Sequence, residues 1–288
     1  MNKLEKLILG TVQFGLNYGI SNTNGKPSKT EVFEILESAK NAGITTLDTA
    51  KAYGNAIDII GDFHQSTDFK FNIITKYKSE NELNIWDSLK DDLDKLHISK
   101  YDCVMLHNSK DLANEDTIIT LKKLKSNNIA SKIGVSIYSN NDIDEQYFDL
   151  LDTIQLPYNL LDNDNLRKNY IKQLNQSNID VHTRSAFLQG LFFIKNNENM
   201  SEKMKPLFKY LDKINAIIYS HHLTIETLAL NYCLQNEFIQ KVVFGVNSLD
   251  ELNRNLELIS IPVKASIFEE INSIFVNEIE LLNPSNWQ

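Results

Sequence analysis

Residues 10–19 read GTVQFGLNYG and close the first apolar run of the chain, which reads as a strand over Leu7–Phe14. An open, doubly wound α/β sheet that holds a dinucleotide carries GxGxxG here, three glycines that let a helix N-terminus approach a pyrophosphate. The glycines at 10, 15 and 19 do not have that spacing. The fold must therefore be decided by the strands and helices that follow.

These alternate at a repeat of roughly 30 residues. Further strands are expected over Thr45–Ala50, Phe71–Lys76, Tyr101–His107, Lys132–Ile137, Asp152–Tyr158, Asp180–Ala186 and Lys241–Val246. Helical periods run over Thr30–Asn41, Glu82–Leu96, Asp116–Ser126, Leu166–Gln176, Met204–Tyr219, Ile225–Leu234, Leu249–Ile259 and Ser266–Ile279. The first of these helices carries a capping box, Ser28 with Glu31, and stops at Gly43. An insertion, Phe187–Met200, follows the seventh strand. Eight strands with intervening helices predict a closed (β/α)8 TIM barrel. No linker or low-complexity tract divides the chain, so residues 1–288 are expected to form a single domain.

Composition narrows the partners. Asp and Glu total 38 against 29 for Lys and Arg, a formal charge of −9, which argues against a general nucleic-acid surface. No apolar run approaches the ~20 residues that span a bilayer, and the polar start does not read as a signal peptide. The two cysteines, Cys103 and Cys233, sit in hydrophobic segments and are expected to be free thiols of a reducing compartment, the cytoplasm. The histidines other than His107 (His64, His97, His182, His221, His222) lack metal-ligand spacing and are expected on helix surfaces or in loops, so no metal is expected.

In such a barrel the C-terminal strand ends converge on one face. The second strand ends at Asp48, with Tyr53 in the loop after it (LDTAKAYG, 47–54); the third ends at Lys76 (IITK) and the fourth at His107 (VMLH). Carbonyl reduction builds negative charge on oxygen and needs a proton donor with electrostatic support. Tyr53 can donate, Lys76 would lower its pKa, Asp48 would hold Lys76 charged, and a neutral His107 could position the oxygen. Individually, Asp48 with Lys76 also reads as a structural ion pair and Tyr53 as a core aromatic. A metal hydrolase built on Asp48 and His107 lacks the further ligands it would need.

LDTAKAYG, IITK and VMLH match in kind, order and spacing the Asp, Tyr, Lys and His motifs of the aldo-keto reductase superfamily, and the resemblance extends over nearly the whole chain. The entry GTVQFGLNYGI and the segment RSAFLQG further resemble a bacterial subgroup tied to surface-sugar biosynthesis. The resemblance implies NAD(P)H-dependent reduction of a small-molecule aldehyde or ketone by a monomer or small homo-oligomer. The alternatives are an NAD-dependent aldose or alcohol dehydrogenase, and a cofactor-binding regulatory protein with little turnover.

It also implies a cofactor site. Ser136 and Gln155 match the groups that hold the nicotinamide amide. Arg184 and Ser185 end the seventh strand, where an aromatic residue often stacks. Gly245, Val246, Asn247, Ser248, Glu251 and Asn255 match the stretch that takes the phosphates and adenine. Three departures stand out: Ile137 replaces a common Asn, Arg184 replaces the aromatic, and Glu251 occupies a position often basic in NADP-preferring relatives. Family habit favours NADP(H) over NAD(H), whereas Glu251 argues the other way. Tyr18, Tyr77, Tyr138 and Tyr158 are expected to form a hydroxyl-rich wall suited to a sugar. Trp287 reads either as a lid residue or as part of a loose end.

Overall fold

The computed structural model describes residues 2–78, 85–194 and 201–287. Its eight strands are β1 (Leu7–Gly10), β2 (Thr46–Asp48), β3 (Asn72–Tyr77), β4 (Tyr101–Leu106), β5 (Ala130–Ser136), β6 (Thr153–Pro157), β7 (Asp180–Arg184) and β8 (Lys241–Gly245). They pair in parallel in sequence order, and β1 closes on β8 with Gly10 opposite Gly245. The expected (β/α)8 barrel is the fold. The first strand is shorter than expected: it ends at Gly10, and Val12–Gly15 (α1) is a helical turn. Thr11 donates both its N–H and its hydroxyl to the Asp48 carbonyl, which turns the chain off the sheet there.

α2 (Lys29–Ala42) begins at the expected capping box. The Ser28 hydroxyl accepts from the Glu31 N–H at 3.3 Å and the Glu31 carboxylate accepts from the Ser28 N–H at 2.7 Å. It stops at Gly43, whose φ is 92°. α3 (Ala56–Ser66) lies in a stretch to which the sequence reading assigns no helix. A Cβ built on Gly61 would lie 2.0 Å from the Lys95 carbonyl oxygen, so the glycine marks a close approach between α3 and α4 (Ile85–Leu96). The expected start of α4 at Glu82 lies outside the described residues. Leu89, Leu93 and Leu96 are its buried face, as expected.

α5 (Glu115–Ser126) packs on β5, and a 3-10 segment, Glu145–Leu150, takes the place of a helix before β6. α6 (Asp164–Gln176) precedes β7. Two helices, α7 (Phe208–His221) and α8 (Ile225–Leu234), lie before β8, and α9 (Leu249–Leu258) follows it. α10 (Ala265–Asn272) is shorter than expected, ending well before Ile279. Of the insertion, Leu188–Phe193 consists of 3-10 turns broken by a kink at Gln189 and Gly190, and residues 195–200 lie outside the described residues. No helix among the described residues is long and apolar enough to cross a membrane.

Along a strand, alternate residues face the same side. One set packs outward against the helices. The other fills the barrel: Ile8, Ile74, Cys103, Met105 and Val243 form a separate apolar cluster inside it. Two residues further along the same inward rows stand Gly10, Lys76, His107 and Gly245, with Asp48, Ser136, Gln155 and Arg184 in the C-terminal parts of the other strands. The apolar plug forces the polar groups to the open end. Cys103 and Cys233 are buried and free, as expected.

Two histidines depart from the surface placement expected of them. His64 is fully buried: its Nε2 accepts from the Phe71 N–H at 3.0 Å, so Nδ1 is the donor to the Leu96 carbonyl at 2.7 Å. Each ring nitrogen has a backbone partner, which makes a neutral ring acceptable in the core. His182 is buried on the inward row of β7, beneath Arg184.

Candidate active site

A cavity of about 530 Å³ opens at the C-terminal end of the barrel. Asp48, Tyr53, Lys76 and His107 all line it, as do Ser136, Gln155, Arg184, Ser185, Gly245, Asn247, Glu251 and Asn255. Val246 and Ser248, expected among the cofactor contacts, do not. Val246 is fully buried in the core, and Ser248 caps α9 by accepting from the Glu251 N–H at 3.2 Å.

Tyr53 is held by its backbone. A Cβ on Gly15 would lie 1.7 Å from the Tyr53 carbonyl oxygen, and one on Gly54 would lie 2.4 Å from the Gly15 carbonyl oxygen. Gly54 also has a φ of 57°, which side chains disfavour. The glycines of GTVQFG and AYG thus let two loops pack backbone to backbone and deliver the tyrosine to the cavity.

Lys76 and Asp48 form a buried, hydrogen-bonded ion pair. The second carboxylate oxygen of Asp48 accepts from Gln155 Nε2 at 2.8 Å. Lys76 Nζ lies 5.6 Å from the centroid of the Tyr53 ring. Burial works against the ammonium, but Asp48 and Tyr53 outweigh it and raise the Lys76 pKa. The expected lowering of the Tyr53 pKa is overturned: burial of the phenol raises it, and the pull of Lys76 only partly offsets that. A raised pKa keeps the hydroxyl protonated, the form a proton donor requires. His107 is depressed to about 4 by burial and by the neighbouring cations Lys76, Lys78 and Arg184, so its ring is neutral at physiological pH.

His182 is likewise depressed, to about 3, chiefly by burial. Both folded values lie below the ordinary 6.5, so as pH falls below 6.5 the unfolded chain binds protons that the folded chain does not. Stability is therefore expected to fall between pH 6.5 and about 4, by about 1.4 kcal/mol per pH unit for each such histidine. Urea unfolding at pH 7 and pH 5.5 checks this. His182→Asn should shrink the difference between the two, and an unchanged difference would mean that His182 protonates in the folded protein.

Arg184 donates from Nε to the Ser136 hydroxyl at 3.3 Å, from its two terminal nitrogens to the Ser185 hydroxyl at 3.3 Å and the Ile137 carbonyl at 3.0 Å, and stacks over Tyr138 at 4.2 Å. The Tyr138 loop is in turn fixed by Arg167, which donates to the Tyr138 carbonyl and is paired in bidentate fashion with buried Asp162. Of the four tyrosines expected to form a wall, Tyr18 and Tyr138 line the cavity. Tyr77 is core, and Tyr158 stacks on Tyr232 and donates to Asp164 at 2.6 Å. Trp287 is neither a lid nor a loose end: it is buried and donates to the Leu281 carbonyl at 2.7 Å.

Sequence reasoning missed Gln13, Ser21, Gln189 and Glu226, which also line the cavity. Gln13 was hidden by reading residues 11–14 as strand. Gln189 sits in a loop where Ser185, Leu188 and Gln189 all have positive φ (64°, 44° and 53°), strain that concentrates at functional sites but leaves no mark in sequence. The loop after α1 crosses the mouth, with the Ile20 N–H donating to the Gln189 carbonyl at 2.9 Å and Asn22 Nδ2 to Asn247 Oδ1 at 3.1 Å.

A nicotinamide cofactor fits these residues. Gln155 Oε1 is buried with no partner, an acceptor suited to a carboxamide N–H. Farther along the cavity Glu251 accepts from the Asn247 N–H at 2.7 Å, and Arg254 pairs with Glu226 at 2.9 Å. No group of three or more metal-binding side chains occurs among the described residues.

Comparison with known proteins agrees with the fold. The model of the aldo/keto reductase family matches residues 6–275. An aldo-keto reductase of Bacillus subtilis (strain 168), YhdN, is 24% identical over 88% of this chain and 86% of its own. Aldo-keto reductase AKR11C1 from Bacillus halodurans, in its holo form, superposes with a TM-score of 0.72 at 19% identity, covering 95% of this chain and 94% of that one. An aldo-keto reductase from Klebsiella pneumoniae in complex with NADPH superposes equally well, TM-score 0.72 at 16% identity over 94% and 90% of the two chains.

Proposed function

The chain belongs to the aldo/keto reductase family and is an NAD(P)H-dependent oxidoreductase, and from that premise we propose that it reduces an aldehyde or ketone with Tyr53 as proton donor. The observation that carries this reading is the buried Lys76–Asp48 pair beside a protonated Tyr53, with a neutral His107 in the same cavity. When bound, the nicotinamide supplies a hydride to the carbonyl carbon. The protein's part is to manage the charge that this creates on oxygen. Tyr53 passes its hydroxyl proton to that oxygen, and Lys76 stabilises the phenolate left behind. Asp48 keeps Lys76 charged and in place. His107, which cannot become cationic near pH 7, donates a hydrogen bond that orients the carbonyl.

Gln155 and Ser136 are assigned to the carboxamide, Arg184 and Ser185 to the ring. Gly245, Asn247 and the start of α9 are assigned to the phosphates, and Glu251 and Asn255 to the adenosine end. The N-terminus of α9 suits an anion once Glu251 releases the Asn247 N–H. The substrate class that fits best is a sugar or sugar derivative, because Tyr18, Ser21, Tyr138 and Gln189 give the cavity hydroxyl and amide groups at its rim. We assign the protein to the cytoplasm, with residues 1–288 acting as one domain in a monomer or small homo-oligomer. A screen of aldehydes, ketoses and nucleotide sugars with NADPH and NADH tests the reading; no turnover across the panel would overturn it.

NADP(H) is proposed ahead of NAD(H), with Arg254 exchanging Glu226 for the 2′-phosphate while Glu251 opposes that charge. Titration by nucleotide fluorescence should show tighter binding of NADPH than of NADH, and Glu251→Gln should widen the gap by several-fold, on the order of one nearby charge removed. A strong NADH preference in the unaltered protein would reverse the assignment.

A further inference from the structure

We infer that Arg184 is a fixed cation, without an ion-pair partner among the described residues, that makes this site hold the reduced nicotinamide more tightly than the oxidised one. The inference rests on the cofactor reading above. Its starting point is how the guanidinium is held. Three of its nitrogens donate to neutral protein oxygens, those of Ser136, Ser185 and Ile137, and Tyr138 covers one face. A fork spent in this way is not poised to grip a substrate carboxylate through paired hydrogen bonds. It contributes a planar charge to the cavity wall.

Among the described residues no carboxylate is bonded to it. The other charges around it are matched among themselves: Lys76 with Asp48, and Arg167 with Asp162 through bonds of 2.6 and 2.8 Å. Arg184 itself forms no ion pair among the described residues. Its field reaches the reaction centre, since it pulls down the pKa values of Tyr53, Tyr18 and His107 together.

A nicotinamide whose amide meets Gln155 and whose reacting carbon faces a carbonyl at Tyr53 lies within that field. Ser136, opposite Gln155 in the sheet register, is itself bonded to Arg184. The reduced ring is neutral and the oxidised ring carries a positive charge, whereas the rest of the nucleotide is the same in both. Arg184 therefore repels only the oxidised form. At contact distances inside a protein one such repulsion is worth about tenfold or more in affinity. The site is set to take up the reduced cofactor and to release the oxidised one, so that at equal nucleotide concentrations more of the protein is loaded with the hydride donor.

The test is binding, without substrate. NADPH is titrated by fluorescence and NADP⁺ by calorimetry, against the unaltered protein, Arg184→Gln, Arg184→Met and Arg184→Lys. Expected is tighter binding of NADPH by the unaltered protein, a ratio that shrinks about tenfold in the two neutral variants, chiefly because NADP⁺ binds better, and a ratio retained in the lysine variant. Equal loss of both affinities in the neutral variants would overturn the inference, because a purely structural arginine acts on both forms alike. Equal affinities in the unaltered protein would overturn it whether or not the variants fold. Failure of the unaltered protein to bind these nucleotides or NADH and NAD⁺ would instead sink the functional reading, and this inference with it.

Discussion

Tyr53→Phe is expected to lower kcat for carbonyl reduction by about 10²–10⁴-fold while leaving nucleotide affinity nearly unchanged. The change removes one oxygen and keeps the ring. The ring's packing beside Lys76 and the Gly15–Gly54 backbone contact that positions it are therefore preserved. What disappears is the only atom of residue 53 that can deliver a proton to the developing alkoxide. The loss belongs in kcat, because the hydroxyl matters most in the transition state. Steady-state kinetics on the best substrate of the screen, with NADPH titrated in parallel, provide the check. Undiminished turnover would remove Tyr53 from the mechanism.

Lys76→Met should have the largest effect on stability as well as abolish useful turnover. Among the described residues it leaves the buried Asp48 carboxylate with only Gln155 as a hydrogen-bond donor to its side chain, and an uncompensated buried charge of this kind costs about 3–5 kcal/mol. Asp48→Asn combined with Lys76→Met removes both charges. The double variant should recover much of the lost stability, because pairs replaced together by neutral groups are often tolerated. It should recover none of the activity, since neither the phenolate's cation nor its anchor is restored. Urea unfolding and kinetics on the single and double variants separate the two roles. A double variant as unstable as the single one would mean that the ion pair is not the source of the loss.

The barrel was legible in the sequence because strand ends carry their own signature: an apolar, β-branched run followed by one polar residue, as in IITK and VMLH. Asp48, Tyr53, Lys76 and His107 could be read for the same reason, each standing at or just after a run that needed an end. Segments whose form is set by contact with another part of the chain were not legible. Residues 11–14 look like strand and turn into α1 because Thr11 bonds back to Asp48. Ala56–Ser66 received no assignment and is a helix whose Gly61 admits the close approach of the Lys95 carbonyl of α4. The direction of the Tyr53 pKa was misjudged because charge can be counted in a sequence and burial cannot. His182 shows the same limit, a polar residue on an inward row that local pattern assigns to the surface.

The alternation of the strands has one more consequence. Ile74 plugs the barrel and Lys76 serves its mouth only because a single residue separates them. Deleting Thr75 would turn the ammonium outward among the helices and draw an apolar neighbour into its place, and the same parity binds Cys103 and Met105 to His107 on β4. Over evolutionary time such a protein can change length freely in its loops, where substrate preference is written, but cannot gain or lose one residue within a strand. The chemistry is inherited as a count, and the specificity is left open to revision.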